Sequence, residues 1–339
     1  MMKALIKKQS GVGLWLEDVP KPKIGVNDVL IKVKRTAICD TDLGVYNWEG
    51  WARQTTPVPL VVGHEFVGEV VEIGDNVNEY YLGQLVSSER PMVYGHCCNN
   101  FTTEDGHLCA EGCDCVGAFA EYMSLPAAAV WQHHKDVDLD VAALFDPLGN
   151  AVQAVLQYDV LGMNVLISGA GSIGAMAAAV CRHAGARHVV VADINPQRLE
   201  LAKKLGATYA VNATQEDLTN VRHKLGMGEG FDVGLEMPGE SSTFKDLLAN
   251  MCYGGKVSIQ GSPNELLAID WGNVIFNMLT LKGIYNRGMS GIWQKMSLMI
   301  DSGLDIGSLI THRLDYTDFQ QGFDALNEGV ASKVILNWE

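Results

Sequence analysis

No stretch of this chain is apolar for long enough to cross a bilayer. The most apolar segment, from Asn164 to Cys181, is interrupted by Gly169, Gly171 and Gly174, which suits a strand–turn–helix better than a span. The N-terminus, MMKALIKKQSG, has lysines but lacks the apolar core of a secretory signal. Positive charge is also scarce: 25 Lys and Arg against 40 Asp and Glu give a formal net charge of −15. A surface this acidic repels phosphate backbones and anionic lipid. Nucleic acid and membrane partners are therefore excluded, and a cytoplasmic protein is expected. Low-complexity tracts and repeats of fixed period are missing too, which argues against solenoids and disordered arrays.

What remains is the composition of an ordinary globular protein, 47% hydrophobic and 19% charged over 339 residues. That length favours two domains over one core. Residues 1–148 read as short β segments between turn residues, among them Val29–Lys34, Val67–Gly74 and Gln84–Ser88. From 149 to 288 the pattern changes to alternating strands and helices: Asn164–Ser168, Ser172–Ala186, His188–Asp193, Gln197–Ala207, Phe231–Met237 and Gly255–Gly261. Such alternation predicts a parallel, doubly wound α/β sheet. The tail, 289–339, ends in the strand-like KVILNW with no helix behind it, and is expected to return and complete the first, β-rich domain.

Within the second domain, Gly169-Ala-Gly171-Ser-Ile173-Gly174 follows a strand and opens a helix. In that context Gly169 permits the tight turn, Gly171 lets backbone approach a pyrophosphate, and Gly174 lets helix and strand pack closely. The helix N-terminus offers free N–H groups to the phosphates. Asp193, at the end of the next strand, can accept hydrogen bonds from both ribose hydroxyls and repels a 2′-phosphate, so the cofactor is expected to be NAD rather than NADP. Arg198 lies close by and softens that preference.

Three stretches in and just after the first domain carry metal and proton chemistry: Cys39-Asp-Thr41-Asp42, Gly63-His64-Glu65, and Asp146-Pro-Leu-Gly-Asn. Cys, His and carboxylate are zinc ligand types, and a catalytic zinc keeps three protein ligands with a fourth position open. Zinc there polarises an alcohol oxygen so that hydride can leave the carbon for nicotinamide. Each residue alone has a plainer reading: Cys39 as a small buried hydrophobe, Glu65 and Asp146 as surface acids. Their combination is what points to a metal. Five of the eight cysteines (Cys97, Cys98, Cys109, Cys113 and Cys115) are clustered in one lobe, which in a reducing compartment favours metal over disulfides.

GHEFVGEVVEIGDNV resembles the zinc signature of the medium-chain dehydrogenase/reductase superfamily. Within it the chain most resembles the bacterial L-threonine 3-dehydrogenases over essentially its whole length, through TAICDTDLGVYNWEGW, TTPVPLVVGHEFVGE, FDPLGNAV, ISGAGSIG, EGFDVGLEMPG and THRLDYTDFQQGFDAL. The resemblance implies a GroES-like catalytic domain beside a Rossmann domain, with substrate in the cleft between them. It implies a catalytic zinc on Cys39 and His64 with a carboxylate, Glu65 and Asp146 being the candidates. It assigns proton transfer to Thr41. It further implies a homotetramer and an amino-alcohol or polyol substrate.

The chain departs from that family at several positions. Gly44 stands where a relay histidine is usual, Pro91 and Gln153 where two further histidines are, and Asp40 brings negative charge toward the cofactor phosphates. Restoring an imidazole by Gly44→His is expected to raise the rate at neutral pH. In the cysteine lobe the family's four-cysteine spacing is broken, and spacing alone leaves open whether a second, structural zinc is bound. L-threonine is the first candidate substrate. A polyol or other amino-alcohol dehydrogenase shares the zinc and cofactor residues, and a non-catalytic NAD-binding protein has no need of Cys39, Thr41, His64 and Glu65 together.

Overall fold

The computed structural model describes residues 1–88, 117–263, 266–285 and 289–339. They form two compact units, Met1–Asp146 with Ile310–Glu339, and Pro147–Leu309.

The first unit is built on the ten-residue strand Asp28–Ala37, whose Val29, Leu30, Ile31 and Val33 are buried while Lys32 points out. The strand is covered on both faces at Val29–Ile31 and on one face around Lys32. The strand lies inside a seven-stranded sheet, in the order Ile310–Asp315, Lys333–Asn337, Asp28–Ala37, Glu65–Ile73, Leu85–Ser88 and Val130–Gln132, with Tyr122–Pro126 also paired to Asp28–Ala37. Two register breaks between Asp28–Ala37 and Glu65–Ile73 bend this pair, as bulges do. A three-stranded antiparallel sheet of Trp15–Val19, Met2–Lys7 and Leu60–Val61 completes the β-rich unit.

The C-terminal strand Lys333–Asn337 pairs antiparallel with Asp28–Ala37, setting Ile335 opposite Ala37 and Asn337 opposite Arg35. The returning segment begins at Ile310 rather than at Met289. Residues 289–309 stay with the second unit because the helix Met289–Asp301 buries Trp293 and Met296, and the following turn buries Ile306 and Leu309. The turn Gly307–Leu309 packs on the helices Ser172–His183 and Pro196–Lys204.

The second unit is a six-stranded parallel sheet in the order Tyr209–Asn212, His188–Asp193, Asn164–Ser168, Phe231–Glu236, Met251–Ile259 and Thr280–Gly283. Its first strand in sequence, Asn164–Ser168, is central, and the chain adds strands on one side and then the other. This is the doubly wound order, with its switch point at the C-terminal end of Asn164–Ser168. The continuous apolar runs Val165–Ile167 and Val189–Val191 are fully buried, as strands covered on both faces require.

Candidate active site

Cys39 ends the run out of Asp28–Ala37 and caps the helix Asp40–Asn47 in an extended conformation. Its backbone N–H donates to Asp42 Oδ2 at 3.0 Å. Asp42 is buried, and its other oxygen, Oδ1, lies 3.3 Å from Nδ1 of His64. One acid thus closes the first turn of the helix and faces the imidazole. A carboxylate on one ring nitrogen of a histidine fixes the ring and leaves the other nitrogen, here Nε2, to face a metal. His64 follows Gly63, whose φ of +97° and contact with Phe119 admit no side chain. Glu65 is fully buried at the start of the next strand.

Among the described residues, Cys39, His64 and Glu65 offer one sulfur, one nitrogen and one oxygen that all lie within 4.8 Å of one another. Thr41 sits beside them, its Oγ1 3.8 Å from Cys39 Sγ. Asp146, in the first turn of the helix Phe145–Val155, is buried but does not join this trio; its charge helps hold the Glu65 carboxyl up. Of the two candidate acids, Glu65 is the one in ligand range.

The trio rests on a lysine that spacing did not reveal. Lys333, buried, donates to both Glu65 oxygens at 2.7 and 2.6 Å and to the Ile38 carbonyl at 3.2 Å. Burial raises the Cys39 thiol and Glu65 carboxyl from their ordinary ranges, with Lys333 pulling both down. Burial would lower His64, but the charges of Asp42 and Cys39 outweigh it and leave the imidazole well up. A dication fits this set of sulfur, nitrogen and carboxylate donors, since it can displace protons from sulfur and nitrogen and offset the buried negative charge.

Gly44 lies one helical turn beyond Asp40 and Thr41. A Cβ there would come within 2.6 Å of Trp51, whose indole occupies the space and donates from Nε1 to Glu49 at 3.1 Å. The space that a side chain at position 44 would need is taken by an indole from the next helix. This counts against the expectation that Gly44→His restores a relay. The substitution is expected instead to overpack the site by about 1–3 kcal/mol, with no gain in rate. Thermal melts and initial rates of Gly44→His, alone and with Trp51→Ala, check this. An unchanged melting temperature in the single variant contradicts it. Asp40 is exposed at the first helical position, where an acid suits the helix dipole, and its charge acts on Lys333.

In the second unit, Gly169 has φ +88° and a Cβ at Gly174 would come 2.0 Å from the Gly169 carbonyl, so neither position admits a side chain. A Cβ at Gly171 meets nothing within 4 Å. The turn is open at the point where a pyrophosphate approaches, and Ser172–His183 starts there with Ile173 in its first turn. Asp193 accepts from Ala170 N at 2.7 Å and from Asn195 N at 2.8 Å. The acid is therefore tied to the glycine turn, with lone pairs left for ribose hydroxyls. Arg198 is exposed in the first turn of Pro196–Lys204. Asp193→Gly is expected to raise the NADP-to-NAD ratio of kcat/KM at least about tenfold, by removing a like-charge contact. A ratio that does not move removes Asp193 from cofactor selection.

The cysteines Cys97, Cys98, Cys109, Cys113 and Cys115, and Pro91, lie outside the described residues. Gln153 falls in the helix Phe145–Val155.

Comparison with known proteins bears on the same segments. Residues 25–135 match the alcohol dehydrogenase GroES-like domain and residues 172–302 the zinc-binding dehydrogenase domain. The chain is 55% identical over 342 residues to the L-threonine 3-dehydrogenase of Solibacter usitatus, covering 100% of both chains. It is 53% identical, again over the full length of both, to that of Aeromonas hydrophila. Among solved structures, the 2R,3R-butanediol dehydrogenase of Bacillus subtilis superposes with a TM-score of 0.85 at 25% identity, covering 99% of each chain.

Proposed function

The chain belongs to the medium-chain zinc-dependent dehydrogenase family, and on that premise we propose that it oxidises L-threonine to 2-amino-3-oxobutanoate with NAD as acceptor. It is an NAD-dependent zinc dehydrogenase, and the finer assignment concerns which alcohol it takes and which residues act. The observation that carries the reading is the trio of Cys39, His64 and Glu65 donor atoms, mutually within 4.8 Å and flanked by the Thr41 hydroxyl.

In this reading Cys39, His64 and Glu65 hold the zinc, and Asp42 keeps His64 turned toward it. When bound, zinc polarises the substrate oxygen and NAD accepts the hydride from the carbinol carbon. Thr41 takes the hydroxyl proton and passes it to water, because Trp51 fills the space beside Gly44. The Gly169–Gly174 turn and the helix behind it bind the pyrophosphate, and Asp193 the adenosine ribose. Full-length identity of 55% to a curated L-threonine 3-dehydrogenase supports the substrate.

The test is kcat/KM for L-threonine beside 1-amino-2-propanol, 2,3-butanediol and sorbitol, read as NADH formation. The assignment expects L-threonine to lead. Background turnover of threonine with ready oxidation of a diol or polyol would replace it with a polyol dehydrogenase.

A cytoplasmic homotetramer belongs to the same reading. No helix among the described residues is long and apolar enough to cross a membrane. Thr280–Gly283 ends the sheet, and beside it Trp271, Ile275, Phe276 and Met278 are exposed, Phe276 by 82%. Tyr253 joins them by donating to Met278 Sδ at 2.7 Å. An apolar cluster of this kind beside a strand edge supports burial against a second copy.

A further inference from the structure

We propose that Lys333 is a charge-setting residue of the metal site: held on Glu65 and on the carbonyl before Cys39, it returns one positive charge to a site that two anionic ligands neutralise, and it weakens the hold on zinc. The proposal rests on the ligand reading of Cys39, His64 and Glu65.

The fold places Lys333 for this role from the far end of the chain. The pairing of Lys333–Asn337 with Asp28–Ala37 carries its first residue under the point where Cys39 leaves the sheet. Two bonds fix the register there, from Ile38 N–H to the Val334 carbonyl at 3.0 Å and from Lys333 Nζ to the Ile38 carbonyl at 3.2 Å. The ammonium then meets Glu65 through both carboxylate oxygens, in a pair with almost no solvent access. Cys39 and Asp40 also act on its charge.

Thiolate, carboxylate and neutral imidazole around a dication sum to zero. Such a site offers little to an alcohol oxygen that gains negative charge as its proton leaves, and a fixed neighbouring cation favours that charge. The same ammonium shares the lone pairs of Glu65 and repels the dication, so it opposes metal affinity. A lysine that only filled space, or only held the strand, has the opposite consequence: its loss loosens the site and zinc binds less well. The sign of the change in zinc affinity separates the two.

The experiment measures zinc dissociation constants by chelator competition on the full-length protein, for the parent, K333M, K333R and the double variant K333M/E65Q. Turnover with L-threonine and the KM for NAD are recorded beside them. K333M is expected to bind zinc about tenfold tighter, opposite in sign to the usual loss of about 10–100-fold when an outer-shell partner is removed, and to turn over more slowly with its KM for NAD unmoved. K333R keeps the charge and should stay within about twofold of the parent. The double variant should lose the gain. K333Q replaces K333M if the latter does not fold. Folded K333M or K333Q with unchanged or weaker zinc binding overturns the proposal. If instead zinc binding to the parent is indifferent to both C39S and H64A, the ligand reading itself is what fails.

Discussion

Replacing Cys39 with Ser is expected to lower kcat/KM for L-threonine by about three orders of magnitude or more. The thiolate is the one soft anionic donor of the trio, and without it the site is left with one nitrogen and one shared carboxylate. Lewis-acid polarisation of the alcohol oxygen contributes several kcal/mol to the transition state, and each 1.36 kcal/mol is a decade in rate. The substitution is nearly isosteric, and the glycine turn proposed to bind NAD lies in the other unit. NAD affinity by fluorescence titration should therefore hold while turnover and bound zinc are lost together. A Cys39→Ser variant that keeps most of its rate removes Cys39 from the mechanism.

Acid sensitivity should be the second large effect. His133 follows the strand Val130–Gln132 and is buried, with its ring edge-on to Phe145. Ser87 Oγ donates to the Phe66 carbonyl at 2.7 Å, so His133 Nε2, 2.7 Å away, is the donor to Ser87. Burial lowers its pKa to about 3, against about 6.5 in the unfolded chain. Between those values the unfolded state binds the extra proton. The stability contributed by the neutral ring is thus full above about pH 6.5 and is lost as pH falls toward 3. Integrated from pH 6.5 to 4, the loss is about 3 kcal/mol. Urea unfolding of the parent and of His133→Phe across that range isolates it, since the carboxylates titrate in both. Parallel curves for the two proteins would contradict the assignment.

What the sequence discloses here is local, and what it hides is made by topology. The glycine turn and Asp193 are legible because strand, turn, helix and acid follow one another along the chain. The structure adds only that Asp193 is tied to the turn through Ala170 N. Cys39, His64 and Glu65 are legible as donor types in short motifs. The choice of Glu65 over Asp146 is not, because it depends on where the strand Glu65–Ile73 starts relative to the helix Asp40–Asn47. Asp42 carried a readable sign, an acid three residues after a helix cap, although its second contact with His64 did not. Lys333 had none: its partner Glu65 is 268 residues away, and no spacing rule connects them. The glycine at position 44 is legible as a departure from the family, whereas the indole that fills the space beside it comes from another helix. The tail strand Lys333–Asn337 pairs with Asp28–Ala37, while the buried face of Met289–Asp301 keeps that helix with the second unit.

The central claim is that one catalytic zinc sits on Cys39, His64 and Glu65. Zinc-edge anomalous diffraction from crystals of the zinc-replete protein tests it most directly, read beside the same map for Cys39→Ser. A zinc peak is expected about 2.3 Å from Cys39 Sγ and about 2.0–2.2 Å from a His64 nitrogen and a Glu65 oxygen, with no peak there in the variant. A replete, active protein whose only zinc lies among cysteines elsewhere, with none at Cys39 and His64, would contradict it.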